Sequence, residues 1–325
     1  MKLRGNKTAM SVTGFFVSLV LFLTAVSIGY ANKIEIKWWD WETNPQGVKR
    51  IVFERAFEEY GKENPEVRFV AEHFPGDAYW QKMLAAVAAG TGPVVAMIEP
   101  DYLVDYLTPI PLLDPYPEDL FPYDQLEQDY ERMEQFKWVD GKYYLISAGW
   151  DAPVMFYNRK IFDEKGVALP TDWTELPCSW EEFITLTKKV TEIDSKGNIE
   201  RAGMADVWTE HFFLGLLYQF GGSLTKDNAS KPNIDTEAGL KALRLIRDMY
   251  LEHKIVLPTG WDGSWDDFVN GRVATRPDYS WATDYLGDEE NVAVDMCVGP
   301  QPFLGKPEEL SVPEVYYGLL LPPSA

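Results

Sequence analysis

Carboxylates and tryptophans standing side by side are the residues of this sequence that could act on a solute. Trp38-Trp39-Asp40-Trp41-Glu42 is the densest such run, and Glu99, Asp101, Trp150-Asp151, Trp208, His211, Asp278 and Trp281 continue the mixture along the chain. Glycoside hydrolysis needs two carboxylates across a sugar, one with a raised pKa, and Asp40, Glu42, Glu99, Asp101, Asp151 and Asp278 could supply a pair. With 51 acidic residues in the chain, any two of them are weak grounds, because most must be solvated surface charges. The tryptophans say more. A sugar presents apolar C–H faces and hydroxyl edges. Indole faces suit the first, and Asp, Glu and Asn side chains suit the second. Twelve Trp exceed what a core of this size needs, which places some of them on a binding surface.

Other chemistries find no local signature. His73, His211 and His253 have no His or Cys at metal-ligand spacing. Asp194 to Asn198 resembles a calcium loop only faintly, lacking the ligand spacing and the downstream Glu, and reads as a plain turn. There is no G-x-S-x-G elbow, no Walker loop and no G-x-G-x-x-G after a strand. No metal and no cofactor is expected. Two alternatives to sugar binding stay open: a secreted glycoside-active enzyme, and a binding protein for a polyol, peptide or polyamine. Acidic residues would suit a cation, while the number of Trp favours a sugar.

The elements that must position these residues begin with Lys33 to Trp38, an alternating strand that delivers the first Trp cluster at its carboxyl end. Phe53, Ala56, Phe57 and Tyr60 fall on one face of a helix stopped by Gly61 and Pro65. Val67 to Ala71 reads as a strand, Tyr79 to Ala89 as a helix, and Val94 to Ile98 as a buried parallel strand. The order β-α-β-α-β is a doubly wound α/β layout, in which ligands bind at the carboxyl edge of the sheet. By strand alternation Trp39 or Trp41 should face that edge, and Asp101 follows the third strand to the same place. Phe136 to Leu145 reads as a hairpin turning at Asp140-Gly141. Ser179 with Glu182 forms a capping box for a second α/β section, and Asp235 or Thr236 caps a long helix. Trp265 to Asn270 reads as a short helix and Arg272 to Thr275 as a strand. A turn at Pro277 to Ser280 then leads to Trp281. The chain passes between two lobes near Gly149 to Pro153, where Trp150 and Asp151 stand. Trp208 and His211 open an aromatic, helix-like stretch.

Lys2, Arg4 and Lys7, an apolar run from Ser11 and the small residues of Gly29-Tyr30-Ala31 read as a signal peptide over 1–31. No Cys follows to take a lipid, so cleavage would release a soluble chain beginning at Asn32 into the periplasm or outside the cell. A membrane anchor that is never cleaved is the other reading, since the apolar run is about long enough to span a bilayer. Without the three leading cations, 27 basic residues face 51 acidic ones. Such a charge repels nucleic acid and anionic lipid. An oxidising compartment permits a bridge between Cys178 and Cys297, although two isolated Cys read first as small buried side chains.

Several stretches together resemble a family, the extracellular solute-binding proteins of sugar ABC importers, which includes the maltose-binding protein. Val154 to Phe162 is similar to the family's strand with a "YNK" segment, followed by Leu169-Pro170 and the S-W-E-E-F helix start at Ser179. Phe220-Gly221-Gly222 resembles its "GG" turn, and Phe268 to Trp281 its "F-x-x-G-x-A-A-M…W" segment. Pro93-Val94 departs from the family's usual Pro-Asp. The resemblance implies a two-lobe periplasmic-binding-protein-like α/β fold (class II) with a hinge. Its lobes would span 32–149 and 150–318, and 319–325 would return to the first lobe, short of a final set of helices. It also implies no catalysis, a permease as partner, and a monomer. By position, the stacking aromatic would fall on Trp281 and the interlobe acid on Asp151. First-lobe contacts would fall near Asp40, Trp41, Glu42, Glu99 and Asp101, and a helix-start contact on Trp208 or His211.

Overall fold

The computed structural model describes residues 33–45, 47–107, 112–170, 176, 179–207, 209–226, 231–286, 294–304 and 315–320. The segment read as a signal peptide, Cys178 and Trp208 lie outside them. The chain divides into two compact units, Met1–Ile146 with Leu319–Ala325, and Ser147–Gly318. No helix among the described residues is long and apolar enough to cross a membrane.

The first unit opens with β1 (Ile34–Asp40), α1 (Val48–Glu63), β2 (Val67–His73), α2 (Gly76–Ala88) and β3 (Val95–Ile98). β1 lies between β2 and β3 and runs parallel to both, with Trp38 opposite Ala71 and Val95. Alternation along β1 sends neighbouring indoles to opposite faces. Trp38 packs on Phe53 and Phe57 of α1, with ring centroids 4.7 and 5.0 Å away. Trp39 enters the other core with Tyr79, Met83 and Ile98. Gly61 lies inside α1 rather than ending it. The helix stops at Asn64, whose backbone and side-chain N–H groups both donate to Tyr60 O. An internal Gly costs only about 1 kcal/mol, which the Phe53 and Phe57 contacts outweigh.

A 3-10 turn at Pro100–Tyr102 leads into α3 (Leu103–Leu107). After α4 (Tyr123–Asp129) and a second 3-10 turn at Met133–Phe136 comes β4 (Ile146–Asp151). The hairpin expected over Phe136 to Leu145 is not formed. Its turn exists: Gly141 has φ 82°, and Trp138 N–H donates to Lys142 O at 2.8 Å. The flanks do not pair further, because Tyr143 O accepts from Tyr116 N–H and the Tyr143 and Tyr144 rings enter separate cores.

The second unit contains β5 (Pro153–Asn158), α5 (Arg159–Glu164), α6 (Trp180–Lys188), β6 (Glu192–Ile193), β7 (Ile199–Met204) and α7 (Thr209–Gln219). β8 (Thr225–Lys226), β9 (Lys231–Pro232), α8 (Glu237–Leu251), α9 (Gly260–Val269), β10 (Val273–Tyr279), α10 (Ala282–Leu286) and β11 (Met296–Pro300) follow, and β12 (Val315–Leu320) closes the described chain. The sheet order is β11-β5-β10-β7-β6. It is mixed: β10 is parallel to β7 but antiparallel to β5, which is itself antiparallel to β11. Tyr157, Phe162, Trp180, Phe183, Phe212 and Met249 share the larger core. Ser179 Oγ and the Glu182 side chain cap α6 reciprocally, and Thr236 Oγ1 caps α8.

Two elements differ from the sequence reading. β10 continues through Pro277 to Tyr279, where a turn was expected, and all seven of its residues are buried. Pro277 has no N–H to give, yet the register on β5 holds on both sides of it, Arg276 opposite Phe156 and Asp278 opposite Val154. α9 starts five residues before Trp265, at Gly260 (φ 78°). Asp206 Oδ2 accepts that glycine's N–H at 2.7 Å and so fixes the start of the helix.

The first unit's sheet has the order β2-β1-β3-β12-β4. The chain leaves that unit within β4, between Ile146 and Ser147, and re-enters it within β12.

Candidate functional site

In the first unit the candidate residues gather at the carboxyl ends of β1 and β3. Asp40 is fully buried and engaged on both oxygens. Trp38 Nε1 donates to Oδ2 at 2.5 Å, Glu42 N–H donates to Oδ1 at 2.9 Å, and His73 Nδ1 lies 2.7 Å from Oδ1. Its carboxylate therefore shapes the turn that carries Trp41 and Glu42. Trp39, offered from alternation as a residue facing the edge, is enclosed, with its ring against Phe74 at 5.1 Å. Trp41 is half-buried and meets Trp80 at 4.9 Å and Tyr79 at 5.5 Å. Trp80 in turn stacks on Tyr102 at 3.9 Å with the rings 10° from parallel. Tyr79 anchors the group by donating to Met97 O at 2.5 Å, and burial pushes its hydroxyl pKa far up. Glu99 caps the 3-10 turn that holds Asp101 and Tyr102, its carbonyl accepting Tyr102 N–H at 3.0 Å.

In the second unit they gather where β10 ends. β7 and β10 are parallel, so their carboxyl ends share an edge. The segment after β7 leads to α7, whose first turn holds His211. Asp151 is buried and accepts from Ser280 Oγ at 2.9 Å. Ala152 and Ser280 clasp further, through Ala152 N–H to Ser280 Oγ (3.2 Å) and Ser280 N–H to Ala152 O (2.8 Å). His211 Nδ1 lies 3.0 Å from Tyr279 Oη. Trp281, half-buried, follows at once and packs on Trp265 of α9 at 5.5 Å. Asp151, His211 and Trp281 thus converge on consecutive residues of one strand end. Trp150 is exposed.

Behind this edge sits a charge pair. Arg276 is wholly buried, with its guanidinium 3.9 Å above the Trp265 ring. Its Nε donates to Asp278 Oδ2 at 3.0 Å and Nη1 reaches Ser264 Oγ. Burial pushes the Asp278 carboxyl up to about 6, against the pull of Arg276 and with a smaller push from Asp151. Asp278 and Asp151, both candidates for a catalytic pair, are therefore held by Arg276 and Ser280. Among the described residues no group of three or more His, Cys, Asp or Glu could hold a metal. The Asp194 carboxylate is taken up by Lys196 N–H, Asn198 N–H and Asn198 Nδ2, each at 2.8 Å.

The sequence reading passed over Trp80, Tyr102, Trp265 and Arg276 as site residues. Arg276 and Asp278 carried a signal, since residues i and i+2 of a strand share a face. The intervening Pro277 hid it by reading as a turn.

The profile of the family described as bacterial extracellular solute-binding protein matches residues 55–314. The arabinooligosaccharide-binding protein of Halalkalibacterium halodurans is 26% identical over 264 residues, which are 77% of this chain and 56% of that protein. A putative binding protein of Brucella abortus is 24% identical over 200 residues, 61% of this chain and 46% of its own. The chain thus spans about half the length of the curated relatives it matches. Among solved structures, an ABC substrate-binding protein of Listeria monocytogenes in complex with cycloalternan superposes with a TM-score of 0.69 at 20% identity, over 90% of this chain and 71% of that one. The maltose/maltodextrin-binding domain of Bdellovibrio bacteriovorus bound to maltotriose gives 0.67 at 22% identity, over 90% and 72%. These two likenesses establish the two-lobe α/β fold.

Proposed function

We propose, for a chain that belongs to the bacterial extracellular solute-binding proteins, that it captures a carbohydrate outside the cytoplasm and hands it unaltered to the permease of an ABC importer. The observation that carries this reading is the end of β10, where a half-buried Trp281 stands beside Asp151, Ser280 and the His211–Tyr279 pair. An indole face next to oriented oxygen and nitrogen atoms matches the two surfaces of a sugar. The Trp41–Trp80–Tyr102 group gives the first unit aromatic faces of its own. The named ligands of the relatives, arabinooligosaccharides, cycloalternan and maltotriose, favour an oligosaccharide. Binding needs no proton donor, and a carboxylate engaged like Asp151 serves to orient a hydroxyl. Residues 1–31 would direct export and be removed, and the chain from Asn32 would act as a monomer.

The test is Trp fluorescence with thermal melting of the chain from Asn32, against arabino-oligosaccharides, maltotriose and a cyclic α-glucan. A saturable spectral change, a raised Tm and full recovery of the sugar are expected. Turnover of a glycoside would replace this reading with an enzyme. A response confined to a polyol, peptide or polyamine would change the solute.

A further inference from the structure

The second unit holds a cation where cations are rarely found. Arg276 is 0% exposed in the middle of β10, whose neighbouring residues are Thr275, Pro277 and Asp278. Burying a guanidinium is costly unless it is paired and bonded. Here the pairing is with Asp278, the bonding with Ser264, and the flat face of the group lies 3.9 Å over Trp265. Ser264 and Trp265 are consecutive residues of α9, so Arg276 grips that helix through a hydroxyl and a ring together. Trp265 is also the ring on which Trp281 packs. Trp281 is fixed from its other side by its neighbour Ser280, which Asp151 and Ala152 hold.

We infer that Arg276 is a positioning residue for solute binding: its guanidinium sets the plane of Trp265, and Trp265 sets the plane of Trp281. The inference rests on the reading that Trp281 stacks on a sugar. A cation over an indole is an oriented interaction, and Arg, unlike Lys, offers a planar group that can stack and hydrogen-bond at once. A core arginine that served only stability would be replaceable by an apolar side chain of similar length without a change in the geometry of the two indoles. Asp278 neutralises the cation and aims it, since both Nε and Nη2 lie 3.0 Å from the same Oδ2.

The test uses the full chain with Arg276→Lys, Arg276→Met and Trp265→Phe. Circular dichroism of the sugar-free protein reads the exciton couplet of the Trp265–Trp281 pair, isolated as the difference from Trp265→Phe. Titration with maltotriose and with arabino-oligosaccharides reads affinity. Arg276→Lys keeps a charge beside Asp278 but has no flat face. It is expected to fold, to lose the couplet, and to bind the sugar about tenfold more weakly. Arg276→Met is expected to lose both as well. Should Arg276→Met not fold, Arg276→Lys decides alone. An unchanged couplet in Arg276→Lys would overturn the inference. So would a lost couplet with unchanged affinity, because the ring pair would then not serve the solute. If the wild type binds none of these sugars while the couplet still depends on Arg276, the sugar reading fails and the geometric part of the inference stands. If the wild type binds and Arg276→Lys matches it in both readouts, the reverse holds.

Discussion

The Asp278 carboxyl offers a prediction whose sign decides between two opposed forces. Burial favours its neutral form, and Arg276 favours its charge. With burial the larger, the folded-state pKa rises from 3.8 to about 6. A carboxyl raised in this way gives stability that is fully present below pH 3.8 and lost as pH rises through about 6. At about 1.4 kcal/mol per pKa unit the whole effect is about 3 kcal/mol, with roughly half of it falling between pH 5 and 7. The assay is urea unfolding of the wild type and of Asp278→Asn from pH 4.5 to 8. Other titrating groups cancel in the difference between the two proteins. The wild-type advantage, or deficit, should shift in the wild type's favour as pH falls from 7 to 5. A difference that moves the other way would show that the attraction of Arg276 outweighs desolvation, and a flat difference would show that Asp278 is not perturbed. Either result would refute the reasoning.

Other perturbations have clear directions. Trp281→Ala should weaken sugar binding by tenfold or more, as truncation of a central aromatic contact does, measured by calorimetry, with a much smaller effect on the unfolding midpoint. Asp40→Ala removes the carboxylate that accepts from buried Trp38 Nε1 and from Glu42 N–H and that lies 2.7 Å from His73 Nδ1. It should lower stability by about 1–3 kcal/mol, the cost of leaving the buried Trp38 donor unsatisfied, read from the denaturation of the chain. Gly239→Ala would put a Cβ 2.0 Å from Ile234 O at the start of α8. Backbone cannot give way there as a flexible side chain would, so a loss of about 1–3 kcal/mol is expected, visible as a lowered Tm.

What the sequence made legible was local. The strand Lys33 to Trp38, the helix built on Phe53 and Phe57, and the capping box at Ser179 each rest on a period or a spacing that one stretch of chain contains. The helix beginning at Gly260 does not, because its start depends on an acceptor at Asp206, a residue far away in the chain. The missing hairpin is the same lesson reversed. Asp140-Gly141 made its turn, but whether the flanks paired depended on Tyr116, whose N–H took the carbonyl of Tyr143. At the candidate site, residue type and place in the chain offered Trp39 or Trp41, Asp151, Trp208 or His211, and Trp281 as candidates. Their partners were not readable. Trp80 and Tyr102 meet only because α2 and the turn after β3 converge, and Arg276 looked like the end of a strand rather than its centre.

The order of strands in the first unit also bears on synthesis. β12, the last described strand to leave the ribosome, is an interior strand placed between β3 and β4. Among the described strands β12 is the one that joins β3 to β4, so until residue 320 has been made that side of β3 lacks its described partner. The five described strands of the second unit's larger sheet, β11-β5-β10-β7-β6, are all present once Pro300 has emerged. The usual N-terminal-first order of vectorial folding is therefore inverted for these two sheets: the one begun first receives its last described strand after all five described strands of the other have emerged.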